Sequence, residues 1–455
     1  MKANKSFKVV EIQDSQNKYK LSRDIIWILM FAISFIHGLM CISQGILSSC
    51  VTKIKEELFL SDEDYGMFGT ISGFGSLTGS LIFTLIIERV SHKYLLCSML
   101  IINCLSHFAF FFKMAYPILL FSRFISGFAS VFCFIYFPIW VENFAMKKWV
   151  NFMQTTVQVA NTVGNIIGYF IYLILGSHKW KDGFFIESFS ILFLVLIMLM
   201  IPSRYYNKNK KIKNKVEITD SKVTQIEKKG LGIDSSENIV KEIFLNFPFI
   251  MIVLYRANRI FIFQALNFWF SDYLQNSLSE KNPTVIFWSY SITMVFSSLI
   301  GNILGGIIVN KIGGTKSKLS FISMAILQFL SILFGFFSPI TDSVLYFTIL
   351  MSLYILFNSA SGIISISATF AVVSENLAGP ANGVYSFIVN LIGFLPAPYF
   401  YAILKKILKK ESHIIILLMF YGFVGCFELV GADIYMRTKK IRLYRLNIFS
   451  LKEEN

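Results

Sequence analysis

Four amides, Gln154, Gln158, Asn161 and Asn165, recur at spacings of 4, 3 and 4 residues in an otherwise apolar stretch. On a helix these positions share one face. A neutral amide stripe offers donors and acceptors without the cost of a buried charge. That is the chemistry of a water-filled cavity holding a polar solute, although the same stripe can serve only to bond neighbouring helices. Arg256 and Arg259 stand about one turn apart near the middle of a second apolar stretch. A guanidinium grips a carboxylate or phosphate with two parallel bonds, so the pair is a candidate anion contact. Its structural alternative is a pairing with backbone carbonyls or an internal carboxylate. His37 lies near the centre of the first apolar stretch. Imidazole titrates unperturbed near neutrality, so His37 is the candidate carrier of a coupling proton. The plain alternative is a hydrogen-bonded packing residue. Arg123 starts its stretch at an end, where snorkelling explains it as well as function does.

These residues must be positioned by apolar elements. The chain has 455 residues, of which 55% are apolar, 15% charged and 48 Phe; its mean hydropathy is +0.62. An average soluble domain is about 25% charged. Disordered, collagen-like and disulfide-scaffold classes are excluded, and so is an ordinary cytosolic enzyme. The polar stretches are 1–24, 203–243 and 437–455. Twelve apolar segments fill the rest: 25–50, 64–87, 93–113, 116–141, 150–176, 184–202, 246–274, 284–309, 318–338, 342–372, 380–404 and 412–436. Each approaches or exceeds the roughly 20 residues a helix needs to span a bilayer. They lack the alternation of barrel strands.

The net charge is +15. With both termini inside, 29 of the 42 Lys and Arg residues fall on the cytoplasmic side. The positive-inside bias therefore places both termini in the cytoplasm. Lys405, Lys406, Lys409 and Lys410 run against it, clustering on the predicted outer side. The basic stretches carry no interleaved aromatics, so no nucleic-acid partner is expected. The first 24 residues hold no separate apolar core, so no cleavable signal peptide is expected. The six cysteines show no metal-ligand spacing. Neither metal nor cofactor is expected. No nucleophile–base pair stands out, which argues against an enzyme. Residues 203–243 are Lys- and Asn-rich without apolar periodicity and read as a cytoplasmic linker between two sets of six spans. They hold no phosphate loop, so ATP-driven transport is not expected.

Small residues concentrate in every third segment: Gly69, Gly73, Gly75 and Gly79; Gly164 and Gly168; Gly301 and Gly305; and Gly383 and Gly393, with Gly379 just before them. Such spacings permit close helix contact. A three-helix unit used four times explains the interval.

Two loops at matching places in the halves are Thr84-Leu-Ile-Ile-Glu88-Arg89-Val-Ser91-His92-Lys93 and Gly306-Ile-Ile-Val-Asn310-Lys311-Ile-Gly313-Gly314-Thr315-Lys316. Both resemble the G-x-x-x-D-R/K-x-G-x-R/K-R/K signature of the major facilitator superfamily, with Glu88 and Asn310 where the signature has Asp. Val141-Glu142-Asn143 and Ser374-Glu375-Asn376 form a second matching pair. The resemblance implies that Glu142 pairs with Arg89, and Glu375 with Lys311 or Lys316, as cytoplasmic gate latches. Helix capping by exposed carboxylates is the alternative. Asn390-Leu-Ile-Gly393-Phe-Leu-Pro396-Ala-Pro398 resembles the corresponding helix of organic anion transporters. Leu266-Asn267-Phe268-Trp269-Phe270 and Leu60-Ser61-Asp62-Glu63-Asp64-Tyr65-Gly66 are similar to both that branch and Spinster-like lipid transporters. The Asp-Arg pair that the Spinster pattern would place in span 1 is missing, with Ile42-Ser43 in that region. His107 is the weaker histidine candidate, since span 3 is peripheral in the resembled fold.

The expected fold is an all-α membrane protein with twelve transmembrane helices in two six-helix bundles, 25–202 and 244–436. The expected function is transport of a small organic solute, with an anion as the candidate class, by alternating access. A proton is the candidate coupling ion. The bilayer is the only other expected partner, and the chain is expected to act as a monomer. The alternatives are a Spinster-like lysolipid carrier and a non-transporting receptor or scaffold on the same fold.

Overall fold

The computed structural model describes residues 9–11, 20–86, 90–144, 149–176, 179–206, 236–312, 319–373 and 378–453. A short hairpin, β1 (Val9–Glu11) and β2 (Lys20–Ser22), pairs antiparallel with Val9 opposite Ser22. Helices then follow in order: α1 (Arg23–Ser49), α2 (Val51–Leu58), α3 (Asp62–Ile86), α4 (His92–Phe111), α5 (Tyr116–Phe144), α6 (Val150–Leu175) and α7 (Trp180–Met200). After the linker come α8 (Ser236–Leu245), α9 (Phe247–Asp272), α10 (Pro283–Tyr290), α11 (Ser297–Lys311), α12 (Leu319–Phe337), α13 (Val344–Ala371), α14 (Ala378–Ile388), α15 (Ala397–Leu408) and α16 (Glu411–Glu453). Ten helical spans among the described residues are long and apolar enough to cross a membrane, and Ala160–Leu175 within α6 is a shorter apolar helix. Among the described residues, every apolar segment read from the sequence is built mainly of helix. In lipid this is forced, because only a helix or a closed barrel satisfies its own backbone.

Local sequence sets the helix starts. Ser61 and Asp64 cap α3 reciprocally: the Asp64 amide donates to Ser61 Oγ (3.1 Å) and the Ser61 amide to Asp64 Oδ2 (3.2 Å). Asn246 accepts from the Phe249 amide (3.3 Å), with Pro248 in the first turn of α9. Asn282 caps α10 ahead of Pro283 in the same way. Three π-helical turns, Tyr273–Ser277, Ser291–Phe296 and Val389–Phe394, extend α9, join α10 to α11 and follow α14.

The chain separates into two compact units, residues 1–53 with 74–231, and residues 54–73 with 232–455. In the first unit α1 packs on α6, and α4 packs on both α5 and α7. In the second, α13 packs on α11 and α12, and α16 packs on α9 and α12. The glycine pattern states how closely these helices meet. A Cβ built on Gly75 would stand 2.1 Å from the Phe124 carbonyl oxygen, and one on Gly164 would stand 1.9 Å from that of Gly38. In the second unit a Cβ on Gly301 would stand 2.2 Å from the Leu356 oxygen, and one on Gly393 would stand 2.7 Å from that of Ala257. Span 2 on 4 recurs as span 8 on 10, and span 5 on 1 as span 11 on 7. No side chain fits at these four crossings.

At the end of α7, Lys93 donates to the Leu199 and Ile201 carbonyls, each at 2.8 Å, and so caps that helix. Trp140 Nε1 donates to the Tyr205 oxygen (2.9 Å) and the Tyr136 hydroxyl to the Tyr206 oxygen (3.0 Å). Burial pushes the Tyr206 phenol up, so it stays protonated and donates to the Met198 oxygen at 3.1 Å. The last basic position of the first loop signature, Lys93, is thus an anchor for the segment that leads into the linker.

Candidate functional site

Arg256 and Arg259 project from the middle of α9 toward α13. Arg256 is 5% exposed. Its Nη1 donates to the Gly362 carbonyl (3.1 Å) and Ser365 Oγ (3.0 Å), and its guanidinium lies 5.0 Å from the centre of the Tyr385 ring. Arg259 is half-buried and donates from Nη1 to the Asn358 carbonyl at 2.9 Å. Gly362 is where α13 admits it: a Cβ there would stand 2.6 Å from both terminal nitrogens of Arg259. The Nε of each arginine is buried and has no acceptor. Among the described residues no carboxylate lies within ion-pair distance of either guanidinium. Backbone and amide or hydroxyl oxygens orient these cations, but none of them neutralises the charge. Alongside, the Tyr255 hydroxyl bonds Gln328 Oε1 (3.1 Å) and Ser361, and Asn258 Nδ2 donates to the Tyr421 carbonyl (2.8 Å). The buried atoms Asn258 Oδ1 and Asn358 Nδ2 are left without partners.

In the first unit Gln154, Gln158, Asn161 and Asn165 all lie on α6. The side chains of Gln154 and Gln158 are outside the described residues. Asn161 Oδ1 and Asn165 Oδ1 are buried without donors. His37 is 1% exposed. Its Nε2 donates to the Cys133 carbonyl at 3.1 Å, and its buried Nδ1 has no well-aligned partner, with the Asn161 side chain beside the ring. Phe134 and Phe137 meet the ring edge-on.

The gate residues are mostly out of view. Glu88, Arg89, Lys316 and Glu375, and the Glu142 side chain, lie outside the described residues. Asn310 and Lys311 are exposed at the end of α11.

The three stretches that carry the branch-level resemblance meet one another in the second unit. Tyr65 is fully buried against Phe268 and Trp269, with centroids 5.6 and 5.9 Å away. Trp269 Nε1 donates to the Pro398 carbonyl at 2.9 Å. Above them the lysine cluster that runs against the charge bias finds its partners. Lys405 pairs with Asp272, with Glu411 at 2.9 Å and with Asp62 at 3.5 Å; Lys55 pairs with Asp62 and with Asp272 at 3.2 Å. Lys406 pairs with Glu63 at 2.9 Å. Asp272 is fully buried. Sequence reading missed this cage because its members lie far apart along the chain.

It also missed two buried acids. Glu428 of α16 is half-buried with Oε2 unpartnered. Glu187 of α7 is fully buried beside His107. For Glu428 the sequence signal was available, since a carboxylate well inside an apolar span is rare.

The model of the Major Facilitator Superfamily matches residues 33–398. The chain belongs to this superfamily. Solved structures share its fold. A bacterial homologue of the human lysosomal transporter Spinster, inward-facing and occupied, superposes with a TM-score of 0.69 at 12% identity, covering 91% of this chain and 98% of that one. A D-xylose–proton symporter gives a TM-score of 0.68 at 13% identity, with 89% and 97% covered. The nucleoside transporter NupG gives 0.66 at 13% identity, with 89% and 98% covered. No curated protein matches the chain. As a major facilitator protein the chain is a multi-pass membrane transporter and not an enzyme.

Proposed function

We propose that this major facilitator protein moves a small organic anion by alternating access, with Arg256 and Arg259 as the anion contact. The observation that carries this reading is the absence of any carboxylate at either guanidinium among the described residues, while each keeps a buried Nε without an acceptor. An anion would supply the missing charge and acceptors. Asn161 and Asn165, with Gln154 and Gln158 on the same stripe, contact the uncharged part of the solute. Glu142 with Arg89, and Glu375 with Lys311 or Lys316, latch the cytoplasmic gate, assisted by Glu88 and Asn310. His37, with its buried Nδ1, carries a coupling proton. Both termini are cytoplasmic, and the chain works as a monomer.

The test is uptake by the purified full-length protein in liposomes. The panel is labelled carboxylates and organic phosphates, neutral sugars, zwitterionic amino acids and lysolipids, each with and without a pH gradient. Uptake of anions that Arg259→Gln weakens supports the reading. Uptake of neutral solutes only, unchanged in that variant, overturns the anion assignment. Lysolipid movement alone supports the Spinster-like alternative, and binding without movement supports a receptor.

A further inference from the structure

Glu187 lies in a sealed, polar corner of the first unit formed by α1, α4, α5 and α7. Its side chain is fully buried; Ser43 of α1 offers it a weak donor, and neither carboxylate oxygen has a well-aligned hydrogen bond. His107 of α4, also fully buried, faces it with Nδ1 at 3.6 Å from Oε1. The bonds behind that ring fix its tautomer. Ser126 Oγ donates to Asn103 Oδ1 at 2.8 Å, so the single Ser126 proton is committed. His107 Nε2, 3.1 Å from Ser126 Oγ, must then be the donor of that contact. In a neutral imidazole the other nitrogen is bare. Nδ1 is therefore an acceptor and aims its lone pair at a carboxylate oxygen. Two acceptors facing each other in a dry site repel; one proton shared between them turns that repulsion into a hydrogen bond.

We propose that Glu187 and His107 form a proton-binding site of this carrier, distinct from His37, which holds one proton between Oε1 and Nδ1 when sealed. Burial favours the uncharged pair. Arg123 of α5, 5% exposed, acts electrostatically on both Glu187 and His107 and stabilises the carboxylate once the proton has gone. When the corner opens to water, the O–H bond breaks and the proton passes to a water molecule. The carboxylate is left facing Arg123, and uptake reverses the step from the other side. The remaining groups near Glu187 are Ser43 and Cys41 of α1 and Cys104 of α4. Cys104 is committed, its Sγ donating to the Ser188 carbonyl at 3.4 Å. α6, which also packs on α7, has no charged side chain.

Coupling of this proton to solute movement rests on the carrier reading; binding of the proton does not. The test is infrared difference spectroscopy of the full-length protein in liposomes through a pH titration. The expected result is a protonated-carboxyl C=O band that disappears on alkalinisation, shifts in D2O and is lost in Glu187→Gln. Glu187→Asp is the control for a Gln variant that fails to fold: it should retain a displaced band. Arg123→Gln should carry the band to higher pH, and His107→Gln should move its frequency; His37→Gln should leave it in place. A band unchanged in Glu187→Gln, or no protonated carboxyl at any pH, overturns the proposal in favour of a fixed ion pair with Arg123. The measurement needs no substrate, so a chain that proves not to transport would still show the band, and a missing band would leave the anion reading intact.

Discussion

At the residue scale the two arginines and the buried aspartate make opposite demands. Arg259 gives its bonds to a backbone carbonyl and an amide oxygen, and its removal leaves no acid behind. Arg259→Gln should therefore keep its apparent melting temperature. It should lose substrate affinity about tenfold or more, the value of a charge-assisted hydrogen bond of about 1.5–3 kcal/mol. Thermal unfolding and binding on the same preparation check both halves of that expectation. Asp272 is different, being fully buried between Lys55 and Lys405. Asp272→Asn leaves both ammonium groups facing one fewer charge, and breaking a buried pair costs about 3–5 kcal/mol. Partial exposure of the lysines puts the expected loss at the lower end. It should appear as a lowered unfolding temperature without substrate. The arginines were legible in the sequence because charge deep in an apolar span has few explanations. Glu187 was not, because it stands near the predicted start of its span and reads there as interfacial. Its burial comes from α4 and α1, which no window on α7 contains.

At the element scale the glycine spacing was the legible feature, and the structure shows what it does. Gly164 allows α6 to touch the α1 backbone, and the nearest neighbour of its absent Cβ is a carbonyl oxygen that cannot turn aside. Gly164→Ala should force the helices apart and destabilise the first unit by about 1–3 kcal/mol, as overpacking does. Gly306 on α11 has nothing within 4 Å of its Cβ position. Gly306→Ala should leave stability unchanged or raise it by about 0.5–1 kcal/mol, the helix-interior cost of glycine. The contrast between the two alanines, read by thermal unfolding, separates close approach from composition. The π-helical turns were not legible, because an apolar run reads alike at 3.6 residues per turn or more.

At the scale of the whole molecule, hydropathy carried the fold, and the odd lysines were the one feature discordant with the expected orientation. The structure accounts for two of those four lysines, while Lys409 and Lys410 are exposed. Lys405 and Lys406 are held by Asp272, Glu411, Asp62 and Glu63, so their charge is locally answered. A net-count rule cannot register that pairing, in which Lys405 and Lys406 near the end of the sequence meet Asp62 and Glu63 near its start. Both termini should therefore be reached by protease only from the cytoplasmic side. Glu142→Gln and Glu375→Gln should raise the accessibility of introduced cysteines from that side, since each removes one partner of a proposed latch. Unchanged labelling in both variants would reduce the two glutamates to helix caps.

Trp269 lies under two lysines of the cage, 5.7 Å from Lys55 Nζ and 5.3 Å from Lys405 Nζ. Indole emission responds to the electric field across its ring, and the chain has only 6 tryptophans. The molecule thus contains its own optical gauge of whether the 54–73 segment is seated. Lys405→Met should shift the emission maximum, and Trp269→Phe should abolish the shift. Any solute that unseats the segment should reproduce the spectral change without a label being attached.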